Sequence, residues 1–312
     1  MNPEVVAPGL EDELRALFGR RVRRNEPLAK HTSFRIGGPA DYWVEIQEPR
    51  EIAAVQECAL RYGVPWTLLG GGTNVLVSDL GVRGIVIRLG RRFAFIHWQP
   101  KGEAVSVRAG ASLPLKKLVL ETVERDLSGL EFAEGIPGTV GGGLLMNAGA
   151  FGGELADVVR AVELVSPEGQ ELRVPKKQLR FGYRWFDLPR GTVVTAVEFE
   201  LRHAPSEHIQ RRYQMAKERR DRNQPKGLPN AGSVFKNPPQ DFAGRLIEAV
   251  GLKGHQVGQA MISSKHANFI VNLGGAKAAE VRQLMREAQR RVAERFGVQL
   301  EPEIRLMGEW RE

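Results

Sequence analysis

The sequence predicts an α+β protein built from more than one domain, and three observations carry that prediction. The chain has 312 residues, 42% of them hydrophobic, more than one hydrophobic core usually organises and enough apolar material to fill several. Its first part alternates strand and helix signals, and its middle part is dominated by strand patterns. Past Pro205 the pattern changes to helices separated by loops rich in Pro, Gly and Asn.

From Arg35 to Leu89 the run ADYWVEI reads as a strand, and Ile52, Val55, Ala59 and Leu60 have helical spacing that stops at Gly63 and Pro65. Three short strands follow in WTLLG, NVLVS and GIVIRL. Between Phe93 and His203 the runs FAFIHW, AVSVRAG, VVRAVELVSPEGQELRVP and TVVTAVEFELR read as strands, with Pro167 to Gly169 as a hairpin turn and one helix at Leu113 to Arg125. The glycine-rich stretch after that helix reads as a long loop, and such loops in folded domains usually carry function. Beyond Pro205, helices are predicted from Ser206 to Arg222, from Asp241 to Val250 with Asp241 as cap, and from Lys277 to Phe296. The last has Val281, Leu284, Met285, Ala288, Val292 and Phe296 on one stripe. The tail VQLEPEIRLMG reads as a strand.

Composition excludes several classes. No apolar run approaches the roughly 18 residues of a membrane helix, and the N-terminus carries early acids rather than a basic-then-apolar leader. A cytoplasmic protein without membrane partners is expected. Cys58 is the only cysteine, so there is no intrachain disulfide or multi-cysteine metal site; its place on a helical pattern makes it a buried structural thiol. The six histidines form no H-E-x-x-H and no ligand cluster, so no metal is expected. The net charge of +8 points to anionic partners: nucleic acid, or a diphosphate-bearing dinucleotide or nucleotide sugar. The basic cluster from Arg211 to Arg222 carries a single aromatic, Tyr213, and no recognised nucleic-acid motif, which argues against nucleic acid.

Gly70-Gly71-Gly72-Thr73-Asn74 follows a predicted strand. Consecutive glycines let backbone N–H groups surround phosphate oxygens, and the alternative is a tight strand–turn–strand. Gly135-Ile136-Pro137-Gly138-Thr139-Val140-Gly141-Gly142-Gly143, followed by Asn147-Ala148-Gly149, is richer still. Two such segments favour a planar or anionic ligand, while the absence of G-x-G-x-x-G and of G-K-[ST] argues against a Rossmann fold and a P-loop NTPase. Ser233, in Gly232-Ser233-Val234-Phe235-Lys236-Asn237-Pro238, is not on a G-x-S-x-G elbow and has no evident histidine partner, so a Ser-His-Asp hydrolase is weakly supported; it reads equally as a turn serine bonding its own backbone. By pattern alone Glu303 is a solvated strand-edge residue beside Arg305, with a half-buried carboxyl as the alternative. Arg184, among aromatics from Phe181 to Phe186, reads as a stacking partner or a carboxylate clamp.

Taken in order, these motifs resemble the UDP-N-acetylenolpyruvoylglucosamine reductase family. The resemblance runs from His31 to Gly308 through HTSFRIGGPA (His31 to Ala40), the Gly70 to Leu76 loop, Gly135 to Ala150, Tyr183-Arg184, Gly232 to Pro238, SKHANFIVN (Ser264 to Asn272) and Pro302 to Arg305. It implies a two-part FAD-binding unit of the vanillyl-alcohol oxidase / p-cresol methylhydroxylase type plus a separate α+β substrate domain, in the shorter form of the family. The implied division is 1–89 and 90–204 for the FAD subdomains, 205–300 for the substrate domain, and 301–312 for a strand returning to the flavin site. Three positions depart from the family pattern: Phe186 and Thr73 stand where serine is common, and Ser264 where glutamate is frequent.

The implied activity is reduction of UDP-N-acetylglucosamine enolpyruvate to UDP-N-acetylmuramate in peptidoglycan precursor synthesis. Hydride passes from NADPH to N5 of FAD and then to the vinyl carbon. Catalytic roles carry over to Ser233 as proton donor and to Glu303 and Arg184 as stabilisers of the enolate. FAD contacts carry over to Arg35, Gly70, Gly71, Gly72, Thr73, Asn74, Gly135, Ile136, Pro137, Gly138, Gly141, Asn147 and Gly149. Tyr183, Lys236, Asn237, Lys265 and His266 are the substrate candidates, with Lys236 also a candidate for the nicotinamide cofactor. An ionised Glu303 would repel an enolate, so its carboxyl is expected to have a raised pKa. A monomer is expected. An FAD-dependent oxidase of the same fold is the main alternative, and a basic nucleic-acid-binding protein the lesser one.

Overall fold

Apolar spacing builds two separate cores in the computed structural model, which describes residues 8–310. The chain divides into two units. One takes in the chain up to Asn25, Asp41–Gly71 and Arg83–Lys217; the other takes in Glu26–Ala40, Gly72–Val82 and the chain from Glu218 on.

The first unit holds two sheets. In the four-stranded sheet the order is Val22–Pro27, Pro39–Ile46, Val82–Leu89, Trp66–Leu68, and the last two strands run parallel. The helix Pro49–Arg61 starts with a capping box between Glu48 and Glu51 and buries Ile52, Val55, Cys58 and Ala59. The expected stripe member Leu60 is instead exposed. Arg21 donates two hydrogen bonds to the Glu51 carboxylate, at 2.7 and 2.6 Å, tying this helix to the segment before the sheet. The helix Leu10–Phe18 had no counterpart in the sequence reading; it buries Leu10, Leu14 and Phe18, one face at four-residue spacing.

The second sheet has the order Glu171–Pro175, Val159–Val165, Val193–His203, Ala104–Gly110, Ile96–Lys101, with Leu127–Ser128 on the far end of Val193–His203. Its pairings are antiparallel. Val193–His203 is buried on both faces for its first five residues and then alternates, turning Glu198 and Glu200 outward. On the outer face Glu198 pairs with Arg173, and Arg108 grips Glu163 through two bonds of 2.5 and 2.6 Å. The predicted turn at Pro167 to Gly169 joins the first two strands, with Ser166 N–H donating to the Gln170 carbonyl at 2.8 Å.

The glycine-rich stretch is not the long loop expected from its composition. It contains a helix, Val140–Leu145, whose N-terminus is capped by Thr139: the Thr139 hydroxyl accepts from the Gly142 N–H. Glycine serves packing there, because a Cβ on Gly141 would stand 2.9 Å from the Ala111 side chain.

The second unit carries a three-stranded antiparallel sheet, Gln256–Val257, Ala260–Ile262, Ile270–Asn272. The helices Ala243–Ala249 and Ala278–Phe296 belong to the same core. The helix Ala278–Phe296 buries Val281, Leu284, Met285, Ala288 and Val292 as predicted, but Phe296 ends 37% exposed beside the terminating Gly297. Its first N–H groups, of Ala278 and Ala279, donate to the two carboxylate oxygens of Asp79 at 2.8 and 3.0 Å. At the start of Ala243–Ala249 the capping acceptor is Asn237, which takes the Ala243 N–H at 3.1 Å; Asp241, the expected cap, binds Arg245 and its own neighbour Phe242 instead. The C-terminal strand is shorter than its apolar run suggests. Its parallel pairing with Val75–Val77 spans Arg305–Met307. No helix among the described residues is long and apolar enough to cross a membrane.

Candidate active site

In the first unit the two glycine-rich segments come together. A Cβ on Gly71 would stand 2.9 Å from Cα of Gly138, so the two backbones approach this closely only because Gly71 lacks a side chain. Beside them lies a cavity of about 420 Å³, within the usual size of ligand sites. Its glycine wall is Gly70, Gly141 and Gly142, with Thr139 between them. Leu68, Leu145 and Val194 give it apolar surface, and Arg88 and Arg91 bring cations to it. A Cβ on Gly70 or on Gly142 would meet only the Thr139 hydroxyl, at 3.5 or 3.4 Å. Backbone is therefore open to a ligand there. An apolar slot, bare glycine backbone and two arginines fit a dinucleotide with a planar ring and a diphosphate. Composition had not singled out Arg88, Arg91 or Thr139.

Arg184 sits at the turn between the paired segments Phe181–Gly182 and Trp185–Phe186, with φ of +61°. Left-handed backbone at a non-glycine residue is uncommon and costs energy, so it persists only where its surroundings enforce it. Those surroundings are visible. Phe181 and Phe186 stack at 4.6 Å and close the hairpin base, which is the structural use of Phe186. Arg184 Nη2 donates to the Gly149 carbonyl at 2.8 Å, and its guanidinium lies over the Tyr183 ring at 5.0 Å. Tyr183 itself is half exposed. Asn147 is fully buried. Its Nδ2 donates to the Gly182 carbonyl at 3.1 Å, and its Oδ1 accepts from Ala156 at 3.0 Å. The side chain of Asn147 thus braces the Arg184 hairpin rather than turning outward.

In the second unit Ser233 and Glu303 are brought side by side by backbone pairing. Lys236 N–H donates to the Glu301 carbonyl at 2.9 Å, Glu303 N–H donates to the Val234 carbonyl at 2.8 Å, and Phe235 bridges Pro302. The Ser233 hydroxyl makes no hydrogen bond to any described residue, so the alternative of a serine spent on its own turn does not hold. Both residues are half-buried. The loop is locked by Asn268, a residue the motif reading did not single out. Its Oδ1 accepts from Phe235 N–H at 2.9 Å, its Nδ2 donates to the Phe235 carbonyl at 2.8 Å, and its own carbonyl accepts from Val234 at 2.8 Å. Asn268 is 3% exposed. An asparagine inside the apolar run ANFIV was the available signal, since a buried amide must find partners.

The remaining candidates are distributed unevenly. Lys236 pairs with Glu301 at 2.5 Å, and Asn237 spends its acceptor on the helix start. Lys265 donates to the Asp221 carbonyl at 2.8 Å. His266 turns Nδ1 inward to the Asn268 N–H and meets Phe269 edge-on; burial, and then the charge of Lys253, push its pKa down. Gly72 approaches so closely that a Cβ would stand 2.0 Å from the His31 carbonyl oxygen. Arg35 is exposed with a left-handed φ of +54°. Gly135 and Gly138 also have positive φ, while Ile136 closes a turn through its N–H to Ala133; Pro137 follows within the same segment.

A protein-family model described as an FAD binding domain matches residues 40–175, the part of the chain holding both glycine-rich segments. The class is therefore that of the FAD-dependent oxidoreductases. A second model, described as the UDP-N-acetylenolpyruvoylglucosamine reductase C-terminal domain, matches residues 224–307, which include Ser233 and Glu303. The UDP-N-acetylenolpyruvoylglucosamine reductase of an Anaeromyxobacter species is 48% identical over 97% of this chain and 95% of its own. One such reductase of Symbiobacterium thermophilum is 48% identical over 92% of each. The crystal structure of the Thermus caldophilus UDP-N-acetylenolpyruvylglucosamine reductase superposes with a TM-score of 0.80 at 41% identity, covering 92% of this chain and 99% of that one. The chain belongs to the UDP-N-acetylenolpyruvoylglucosamine reductase family, FAD-dependent enzymes of peptidoglycan precursor synthesis. A vanillyl-alcohol-oxidase-type flavoprotein of Myceliophthora thermophila shares the fold alone, at a TM-score of 0.50 and 12% identity over 97% of this chain and 64% of that one.

Proposed function

We propose that this chain reduces the enolpyruvyl group of its UDP-sugar with Ser233 as proton donor and with Glu303 and Arg184 stabilising the enolate. The observation that carries this reading is the backbone pairing of the segment holding Ser233, whose hydroxyl has no partner among the described residues, with the segment holding the half-buried residue Glu303. FAD, when bound, supplies the hydride relay between NADPH and the vinyl carbon. The residues suited to hold it are the bare backbone of Gly70, Gly71, Gly72, Gly138 and Gly141, with Thr73, Arg35 and the cavity cations Arg88 and Arg91 for its diphosphate; Asn74 is assigned to it through its backbone alone, because its side chain is spent on the Glu303 carbonyl. Gly135, Ile136, Pro137 and Gly149 shape the same segment. Asn147 contributes by bracing.

The protein's chief task is to stabilise negative charge as it develops next to the substrate carboxylate. Arg184 brings a fixed cation, preorganised by its strained turn. Glu303 assists in its protonated form, as a donor, which requires a raised pKa. Ser233 delivers a proton to the carbon bearing the charge. A hydroxyl is a weak acid in water but serves against a strongly basic carbanion-like centre when held in line. Tyr183, Lys236, Asn237, Lys265 and His266 are assigned to the sugar nucleotide, with Asn237 and His266 acting as supports of the loops that line it and Lys236 open to the nicotinamide cofactor as well. The FAD subdomains are assigned to 1–89 and 90–204, the sugar nucleotide to 205–300, and the returning strand to 301–312. The enzyme is assigned to the cytoplasm, as a monomer, without membrane or nucleic-acid partners.

Ser233→Ala tests the assignment. Reduction by NADPH should keep its rate, and reoxidation by the enolpyruvyl UDP-sugar should slow by roughly 10²–10⁴-fold, the usual weight of a positioned proton donor. Normal rates in both halves would remove Ser233 from the mechanism.

A further inference from the structure

We propose that Asn74 is a positioning residue for Glu303, joining the phosphate-loop segment to the strand that carries the carboxyl. This rests on the reading of Glu303 given above. Asn74 ends the run Gly72-Thr73-Asn74. Its Nδ2 donates to the Glu303 carbonyl at 3.0 Å, and its own carbonyl accepts from Arg305 N–H at 3.0 Å. The next residues, Val75–Val77, continue in parallel register with Arg305–Met307.

Glu303 is therefore pinned through its backbone on both sides. Its N–H goes to the Val234 carbonyl, next to Ser233. Its C=O goes to Asn74. Pro302 before it has no N–H to offer and a fixed φ, and the paired strand begins only at Arg305. The two bonds fix the backbone from which the carboxyl projects, and one of them comes from the segment expected to meet the cofactor diphosphate. Alanine at 74 removes the side-chain bond but keeps the Arg305 bond. Serine, one atom shorter, cannot span the gap either.

The test compares Asn74→Ala, Glu303→Gln and the double variant with the intact holoenzyme. The readouts are the FAD dissociation constant by flavin fluorescence, the rate of anaerobic reduction by NADPH, and the single-turnover reoxidation by the enolpyruvyl UDP-sugar. Asn74→Ser replaces Asn74→Ala if the latter does not fold. The expected result for Asn74→Ala is FAD affinity and reduction within about threefold of the intact enzyme and reoxidation slowed about 10–100-fold, as for a small misplacement of a reacting group. The double variant should reoxidise no more slowly than Glu303→Gln, because a residue acting through another has nothing left to act on. Multiplying effects, or FAD affinity falling tenfold or more, would overturn the proposal and make Asn74 a separate contributor or a phosphate ligand. Normal reoxidation in Glu303→Gln would sink the reading of Glu303 and this proposal with it; a slow Glu303→Gln with multiplying effects would sink only the proposal.

Discussion

Replacing Asn268 by alanine removes the lock on the Ser233 loop. Phe235 is 2% exposed and Asn268 3%, so no water reaches the two groups left behind, the Phe235 N–H and C=O. Each buried orphan costs about 1–3 kcal/mol. Together they cost roughly 4 kcal/mol, on the order of a thousandfold in the folded-to-unfolded ratio. For a unit of this size that corresponds to a fall of about 8–16 °C in Tm. Val234 keeps its bond to the backbone carbonyl of residue 268, so the loop stays attached but loses its register. Thermal unfolding, with single-turnover reoxidation measured on the fraction still folded, reads both consequences. Asn268→Asp keeps the acceptor and loses the donor, so it should fall between the two. A Tm within 2 °C of the parent and an unaltered reoxidation rate would show that the amide does not hold the loop and that the hydrogen-bond account is wrong.

Other consequences are as concrete. Gly71→Ala forces a Cβ to within 2.9 Å of Gly138; the purified protein should carry less flavin per chain, read from the ratio of visible to ultraviolet absorbance, and full occupancy would contradict the cradle. Cys58 is 1% exposed, and burial pushes its thiol up to about 11; an aromatic disulfide reagent at pH 8 should label it only after denaturation, and labelling of the native protein within minutes would count against its burial. Burial alone would raise the Glu51 pKa, but the Arg21 hydrogen bonds and the backbone N–H groups of Gln47 and Glu48 outweigh it and hold the carboxylate below its ordinary value of 4.5. A depressed carboxylate stabilises the fold above its unfolded pKa and loses that contribution as pH falls through its folded one. Glu51→Gln should therefore lower Tm by several degrees at neutral pH, with the gap closing below pH 4.5; a gap that persisted unchanged into acid would place the effect elsewhere.

The sequence made the regular elements legible wherever one face is buried. The stripe of Ala278–Phe296 and the alternation in Val193–His203 follow from burial on one side, and both appear where the pattern puts them. Ends and caps were less legible. Asp79 caps a helix 199 residues away, a pairing that no local pattern encodes, and Asp241 lost its capping role to the nearby Asn237 because its own carboxylate is taken by Arg245 and the Phe242 N–H. Composition misread the glycine stretch as loop, because glycine lowers helix propensity on average while close packing against Ala111 and Leu155 favours it here. Motifs named Ser233 and Glu303 singly. Their proximity comes from tertiary backbone pairing, and the buried amides of Asn147 and Asn268, which brace the Arg184 and Ser233 turns, leave no signature beyond a polar residue in an apolar setting.

The most direct test of the account is a visible spectrum of the purified protein, followed anaerobically. Flavin bands should be present, bleach on addition of NADPH, and return when the enolpyruvyl UDP-sugar is added, with UDP-N-acetylmuramate as product. Bands that bleach but return only with oxygen would contradict the account in favour of an oxidase, and no flavin bands even after incubation with FAD would contradict it at its root.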